Sequence, residues 1–297
     1  MKKQLNIVVI TNDHYVILLA ALIKSIEANL INNHQLIFSI IDDKISLANK
    51  EKLTNSINHE ISILKWINMD GLVPSHVDLP LDRTSYPLNI YMRFFIPYFM
   101  DESVEKVLYL DVDMIFQADV SALFEFDLSH HVVAAVQDSR IKTFNNSWGG
   151  IKNYKKLGLD GNTMYFNSGL MLMNLKLWRS LGITEKLVKC MNENINYANY
   201  PDQYGLNVIL VNQWLVLDKK WNHFADLVSA SDPYVIHFVQ RKPIYKSFNG
   251  VQQFRDKFYY YLQMTEWKNF VRISEISRLA NKSKIVFNKI NKLFSRR

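Results

Sequence analysis

Val107-Leu108-Tyr109-Leu110-Asp111-Val112-Asp113 decides how this chain folds. Four apolar residues end abruptly in two carboxylates one residue apart, with Glu105 and Lys106 in front of them. A short apolar run bounded by charge predicts a buried strand. Side chains on a strand alternate, so Asp111 and Asp113 are expected on one side, at the strand's carboxyl end. Ligands bind outside that end in open α/β sheets, and two converging carboxylates suit a divalent cation, which in turn grips a diphosphate. The spacing by itself is weak: 18 Asp in 297 residues give about one Asp-x-Asp by chance. The apolar strand before the pair and Met114-Ile115-Phe116 after it carry the signal.

On the amino-terminal side, strands are expected at 5–10, 36–41 and 60–66. They alternate with helices at 15–29, which sets Ser25 and Glu27 on its polar side, and at 46–58. That alternation predicts a parallel, doubly wound α/β sheet. Residues 74–81 read as an irregular loop, and 89–100 as an aromatic-rich helix interrupted by Pro97. After the Asp pair come a strand at 132–136 ending near Asp138 and a glycine-dotted loop with a short helix at 139–161. An apolar run follows at 170–173, then helices at 175–181, 184–194 and 202–211, and a late strand at 231–239 that contains His237. No internal repeat stands out.

The length fits one large α/β domain or two small ones, and a hydrophobic content of 48% supports a sizeable core. A single cysteine excludes an internal disulfide framework and points to a reducing compartment. Cys190, among Leu187, Val188 and Met191, reads as a small core residue rather than a nucleophile. Met1-Lys2-Lys3 imitates the start of a secretory signal, but Ile7-Val8-Val9-Ile10 is too short and no small-residue cleavage site follows. No segment reads as a transmembrane helix.

The net charge of +7 is misleading for the whole chain. Lys268–Arg297 holds nine Lys/Arg against the single acid Glu275, so the rest is nearly neutral, which argues against nucleic acid as a partner. In that tail Phe270, Ile273, Ile276, Leu279, Val286, Ile290 and Leu293 recur at near-helical spacing, with Lys and Arg on the opposite faces. A basic amphipathic helix of this kind is expected at an anionic membrane surface. The alternative is a solvated helix packed back on the body, and Asn281 and Ser283 interrupt the apolar stripe.

Five segments in order resemble glycosyltransferase family 8, the retaining transferases of GT-A fold that include bacterial lipopolysaccharide galactosyl- and glucosyltransferases. They are Ile7–Tyr15, Val107–Asp113, Met164–Gly169 with Asn174–Arg179, Asp202-Gln203, and His237 with Lys242-Pro243. The resemblance spans roughly residues 5–245. It implies a GT-A fold, a Rossmann-like mixed sheet flanked by helices, as a catalytic domain over 1–262. The basic helical extension then covers 263–297.

The resemblance also implies a UDP-hexose donor and bound Mn²⁺. Asp111, Asp113 and His237 are the implied metal ligands; carboxylates alone suit Mg²⁺, and an added imidazole shifts the expectation to Mn²⁺. Donor contacts are implied for Ile10, Thr11, Asn12, Tyr15, Arg93, Asp111, Val112, Asn167, Ser168 and Lys242. Asn12 stands where the family usually has Asp, and an amide still offers both donor and acceptor to uracil. The bland readings are turn chemistry for Asn12, a hydrogen-bonded strand histidine for His237 and a surface lysine for Lys242. Arg93, among Tyr91, Phe94 and Phe95, needs a partner.

Asp202, Gln203 and Asp138 are the implied catalytic set. Asp202 also fits a plain helix-start acid, after Pro201. A neutral amide is a poor nucleophile, so Gln203 reads as an electrostatic or positioning group. The family's His-x-x-Gly-x-x-Lys-Pro-Trp pattern is altered here to His237-Phe238-Val239-Gln240-Arg241-Lys242-Pro243-Ile244, without the glycine or the tryptophan and one residue shorter.

The expected activity is transfer of galactose or glucose from a UDP-sugar to a hydroxyl of a cell-surface glycan, at the inner face of the cytoplasmic membrane. The alternative is a catalytically degenerate UDP-sugar-binding scaffold. Nucleotidyltransfer fits less well, because Ile10-Thr11-Asn12-Asp13 offers no glycine-rich phosphate loop. Acceptor contacts are expected from loops 74–89 and 139–161, with Trp148 and Tyr154 as sugar-stacking candidates.

Overall fold

A computed structural model describes residues 2–31, 33–75, 77, 79, 87–228 and 231–280. In chain order the elements begin with β1 (Gln4–Asn12), α1 (Val16–Asn29), β2 (Gln35–Asp43), α2 (Leu47–Ser56) and β3 (Ser62–Asn68). A 3-10 helix (Leu88–Phe95), α3 (Ile96–Phe99), β4 (Lys106–Leu110), β5 (Met114–Phe116), α4 (Ser121–Phe124), β6 (Val133–Gln137) and β7 (Phe166–Asn174) follow. Then come α5 (Leu175–Ser180), α6 (Ile183–Asn194), α7 (Pro201–Ile209), β8 (Trp214–Val216), β9 (His223–Phe224), β10 (Val235–His237) and α8 (Gln252–Leu262). They form two compact units. The first holds the described residues of Met1–Met69, Leu110–Phe126 and Lys220–Arg297, and the second Asp70–Tyr109 and Asp127–Lys219.

In the first unit β3, β2 and β1 pair in that order, all parallel, with Thr11 opposite Asp42 and Asn12 opposite Asp43. Leu5, Ile7, Val8 and Val9 are buried, the near-continuous apolar run of a parallel strand covered on both faces. Helix α1 is buried from Val16 to Ile23 and at Ser25 and Ile26, with Lys24, Glu27 and Asn29 half-buried. The expectation of a polar side at Ser25 and Glu27 is corrected here. Ser25 is fully buried and its hydroxyl accepts the Phe116 N–H at 2.9 Å, tying α1 to β5. Glu27 accepts from the Asn58 N–H and the Ser62 hydroxyl at 2.8 and 2.7 Å, so it caps the entry to β3. Strands β5, β10 and β9 form a small second sheet, β10 antiparallel to β5 and parallel to β9.

In the second unit the order is β4, β7, β6, β8. Strand β6 runs antiparallel to β7 and parallel to β8, so the sheet is mixed, as the family resemblance implies, while the parallel pairing expected from the amino-terminal alternation holds for β1 to β3. Between Ala135 and Val136 the register jumps from Met171 to Asn167, so β7 bulges at Ser168-Gly169-Leu170. A bulge re-aims side chains at a strand's end, and this one lies at the residues that matter below. The 89–100 helix is a 3-10 turn followed by α3, with Pro97 tolerated in its first turn.

Residues 139–161 form a series of turns rather than a loop with a helix. Gly150 N–H donates to the Asn146 carbonyl (3.0 Å) and Ile151 N–H to the Phe144 carbonyl (2.8 Å). A Cβ on Gly150 would lie 2.7 Å from the Asn146 oxygen, so only glycine closes this turn. Cys190 is a buried core residue, and burial pushes its thiol up to about 11.

Candidate active site

Strand β4 stops at Leu110, so Asp111-Val112-Asp113 is the link into β5 rather than part of a strand. The period-two argument therefore does not place the two carboxylates. Antiparallel pairing of β5 with β10 does, because it sets His237 directly opposite Met114. His237 Nε2 lies 3.8 Å from Asp111 Oδ2 and 3.3 Å from Asp113 Oδ1. The three ligand atoms fall within 4.8 Å of one another. Ligand atoms at neighbouring corners around a cation with bonds of about 2.1 Å are about 3 Å apart, so the set fits one divalent ion with little adjustment.

Sequence reasoning missed the residue behind the imidazole. Asn222, buried just before β9, has its Oδ1 2.8 Å from His237 Nδ1. With Nδ1 donating to that oxygen, Nε2 is the nitrogen turned to the carboxylates, and its lone pair becomes the ligand when a metal takes the place of its proton. Nothing in the sequence marks Asn222, which lies 15 residues before its partner. Asn222→Ala is expected to weaken divalent-cation binding about 10–100-fold while the three candidate ligands stay in place, read by calorimetric titration.

Asp113 is buried, which by itself would raise its carboxyl; the Lys242 ammonium and His237 more than offset this and hold it well below the usual carboxylate range. Lys242 Nζ donates to Asp113 Oδ2 and to the Phe238 carbonyl. An ammonium has three donors, so one remains for a phosphate oxygen.

At the end of β1, Thr11 is buried, and Asn12 Oδ1 accepts the His14 and Tyr15 N–H groups (3.1 and 3.2 Å). The bland reading of Asn12 as turn chemistry thus describes its oxygen. Tyr15 OH lies 3.2 Å from Tyr245 OH, which in turn lies 2.8 Å from His14 Nε2. Tyr245, just beyond the altered pattern after His237, is a second residue to which the sequence alone assigns no role. Burial, with Tyr15 beside it, pushes its phenol up, and burial pushes the His14 imidazole down against the pull of Asp13.

A separate cluster sits in the second unit. Arg93 finds the partner its apolar neighbours demand: Nη1 lies 3.0 Å from Asp202 Oδ2. The same nitrogen donates to Ser168 O (3.0 Å) and Ser168 Oγ (3.1 Å), and the guanidinium lies over the Tyr109 ring at 4.5 Å. Asp202 opens α7 after Pro201, so it is a helix-start acid and an ion-pair partner at once.

Gln203 Oε1 accepts from the Ser168 N–H (3.0 Å) and from Asn167 Nδ2 (3.1 Å), and its Nε2 donates to Asp138 Oδ2 at 3.3 Å. The same Asp138 oxygen accepts from Asn167 Nδ2 at 3.1 Å, and its other oxygen takes the Arg140 and Ile141 N–H groups. The β7 bulge is what presents Asn167 and Ser168 to α7. Asn207, one turn after Gln203, fixes the crossing: its amide donates to Phe166 O and Gln203 O, both at 2.9 Å, and accepts the Phe166 N–H at 2.8 Å.

The profile of glycosyl transferase family 8 matches residues 6–250, and the chain belongs to that family. Family membership supports glycosyl transfer as its activity. It is similar to General stress protein A of Bacillus subtilis, 25% identical over 89% of this chain and 94% of that protein. It is also similar to lipopolysaccharide 1,2-glucosyltransferase of Escherichia coli, 30% identical over 45% of this chain but only 38% of that protein. Among solved structures it resembles galactosyltransferase LgtC in complex with donor and acceptor sugar analogs. That match has a TM-score of 0.74 and 20% identity, over 90% of this chain and 100% of that one, which supports the fold.

Proposed function

We propose that the chain is a metal-dependent retaining hexosyltransferase. It moves galactose or glucose from a UDP-sugar to a hydroxyl of a cell-surface glycan such as lipopolysaccharide, lipooligosaccharide, capsule or a glycoprotein glycan. The observation that carries the reading is the Asp111–Asp113–His237 set with its imidazole fixed by Asn222. Mn²⁺, or Mg²⁺ in its place, held by these three would neutralise the donor diphosphate and stabilise the departing nucleotide. Lys242 adds a point charge at the phosphates. Ile10, Thr11, Asn12 and Tyr15 take the uridine, with the backbone of Val112 beside them.

Arg93, Ser168 and Asn167 orient the sugar hydroxyls with Asp202 and Asp138. Gln203 positions and polarises rather than attacks: its oxygen already accepts two N–H groups, which lowers its reactivity further. The acceptor hydroxyl attacks from the face of the leaving group and gives its proton to a phosphate oxygen.

The division into a catalytic domain over 1–262 and an extension over 263–297 rests on the end of α8 at Leu262. The extension begins on the body of the first unit: Trp267 is buried and Glu266 N–H donates to Ser56 Oγ at 3.0 Å. Val286, Ile290 and Leu293 of its apolar stripe lie outside the described residues, as does most of loop 74–89. No helix among the described residues is long and apolar enough to cross a membrane. The basic excess supports a peripheral position on an anionic membrane surface, at the cytoplasmic face.

The altered pattern after His237 favours one rival, a degenerate UDP-sugar-binding scaffold. The two separate in a donor-hydrolysis assay with a panel of UDP- and GDP-sugars in Mn²⁺, Mg²⁺ or EDTA, reading free nucleotide. Mn²⁺-dependent release from UDP-galactose or UDP-glucose is expected. Metal-dependent UDP binding without turnover of any donor, even with glycan acceptors added, would favour the scaffold.

A further inference from the structure

The segment after His237 lacks the glycine and tryptophan of the family pattern, yet it is tied down from two sides within the first unit. On one side Lys242 turns its ammonium onto Asp113, and the Tyr245 hydroxyl meets His14 and Tyr15. On the other, the chain beyond α8 comes back to it. Ile273 N–H donates to Ile244 O and Lys246 N–H to Ile273 O, both at 2.9 Å, in a parallel bridge. The Tyr259 hydroxyl of α8 donates to Pro243 O at 3.1 Å.

Ser274 Oγ accepts the Ser277 N–H at 3.3 Å and starts a helical turn, which sets Glu275 in that first turn. The Glu275 carboxylate accepts from Ser247 Oγ and from Arg278 Nε (2.8 Å), and pairs with Arg241 Nη2 at 3.3 Å. Arg241 directly precedes Lys242, and Ser247 follows Tyr245 by two residues. One carboxylate therefore brackets both groups that reach toward Asp113 and Tyr15. Arg278 and Ser247 hold that carboxyl down, to about 2, so it stays charged at any working pH.

We infer that Glu275 is a positioning residue for the donor: from the carboxyl-terminal segment it straps residues 241–247 so that Lys242 and Tyr245 stand ready at the nucleotide diphosphate. The inference rests on the UDP-sugar reading above. Fixing the segment before binding removes an ordering cost from the donor complex.

The test uses the full chain and two variants that cut the strap differently. Glu275→Gln removes the charge, and Ile273→Pro removes the N–H that donates to Ile244. Three quantities are measured: Mn²⁺ affinity alone, UDP affinity in saturating Mn²⁺, and amide exchange at Lys246 and Phe248. UDP binding is expected to weaken about five- to tenfold in both variants, with faster Lys246 exchange. Mn²⁺ affinity is expected not to fall, because Asp111, Asp113 and His237 keep their places and a looser Lys242 competes less for Asp113. A general loss of structure would move both affinities together.

Unchanged UDP affinity in both variants, with or without faster exchange, would overturn the inference. Wild-type protein that binds no UDP with Mn²⁺ would overturn the donor reading itself, and with it the role given to Glu275. The exchange rates tell these cases apart, since they report the strap without any nucleotide.

Discussion

Asp113→Asn is expected to abolish metal-dependent UDP binding and to lower the melting temperature as well. Asp113 is 8% exposed, and its two oxygens face different partners, Oδ1 toward His237 at 3.3 Å and Oδ2 toward Lys242. An amide keeps the shape but loses the charge that the Lys242 ammonium and a bound cation need. The ion site drops to one carboxylate and an imidazole, so the loss should exceed the roughly 10–100-fold expected when only the outer partner Asn222 is removed.

The Lys242 ammonium is then left without its counter-charge, and breaking such a pair costs about 3 kcal/mol, the lower end of the range because Lys242 is partly solvated. Asp111→Asn separates the two effects. Its side chain is 29% exposed, so it should lose metal and UDP binding with little change in melting temperature. Equal destabilisation by both variants would contradict the assignment of Lys242 to Asp113.

Arg93→Met is expected to give the largest loss of stability. The guanidinium is 6% exposed and faces Asp202, itself 12% exposed, across 3.0 Å. It also donates to Ser168 through Nη1 and to Ile90 O through Nε, and its flat face covers Tyr109. Methionine fills much of the volume but leaves the Asp202 carboxylate, which keeps the Ser168 hydroxyl at 3.2 Å, without its counter-charge, a change that costs about 3 kcal/mol or more. At this chain length that corresponds to a fall on the order of 10 °C in melting temperature. Arg93→Lys should rescue little, because a point charge cannot serve Ser168, Ile90 and Asp202 from one position. Adding Asp202→Asn to Arg93→Met should recover part of the loss, since the stranded charge is then gone. A variant as stable as wild type would mean that the pair contributes nothing to holding α7 on the β7 bulge. Donor turnover should fall in all three variants.

The parts of this protein that were legible in the sequence are those that short-range pattern fixes. The apolar run 107–110 reads as a strand because charge bounds it, and β4 follows it closely. Arg93 between aromatic residues announces a buried charge, and a buried charge announces a partner. Asp202 and Gln203 stand at the start of α7 as Pro201 suggests.

What stayed hidden depends on pairings far apart in the chain. The Asp pair converges on His237 through β5–β10 pairing, which a three-residue strand scarcely signals. Asn222 and Glu275 earn their roles only once β9 and the carboxyl-terminal segment are in place. Ser25 and Glu27 look solvated on a helical wheel, yet β5 and the entry to β3 come to meet them. Alternation did predict the parallel pairing of β1 to β3, whereas the antiparallel run of β7 against β6 has no such local signal and came only with the family resemblance.

The central claim is that Asp111, Asp113 and His237 hold a divalent cation that brings a uridine diphosphate to this chain. Calorimetric titration of the purified full chain with UDP, in Mn²⁺ and again in EDTA, tests it most directly. The account predicts saturable one-to-one binding in Mn²⁺ that EDTA removes and that Asp113→Asn does not recover. UDP binding of equal strength in EDTA, or no UDP binding under either condition, would contradict it.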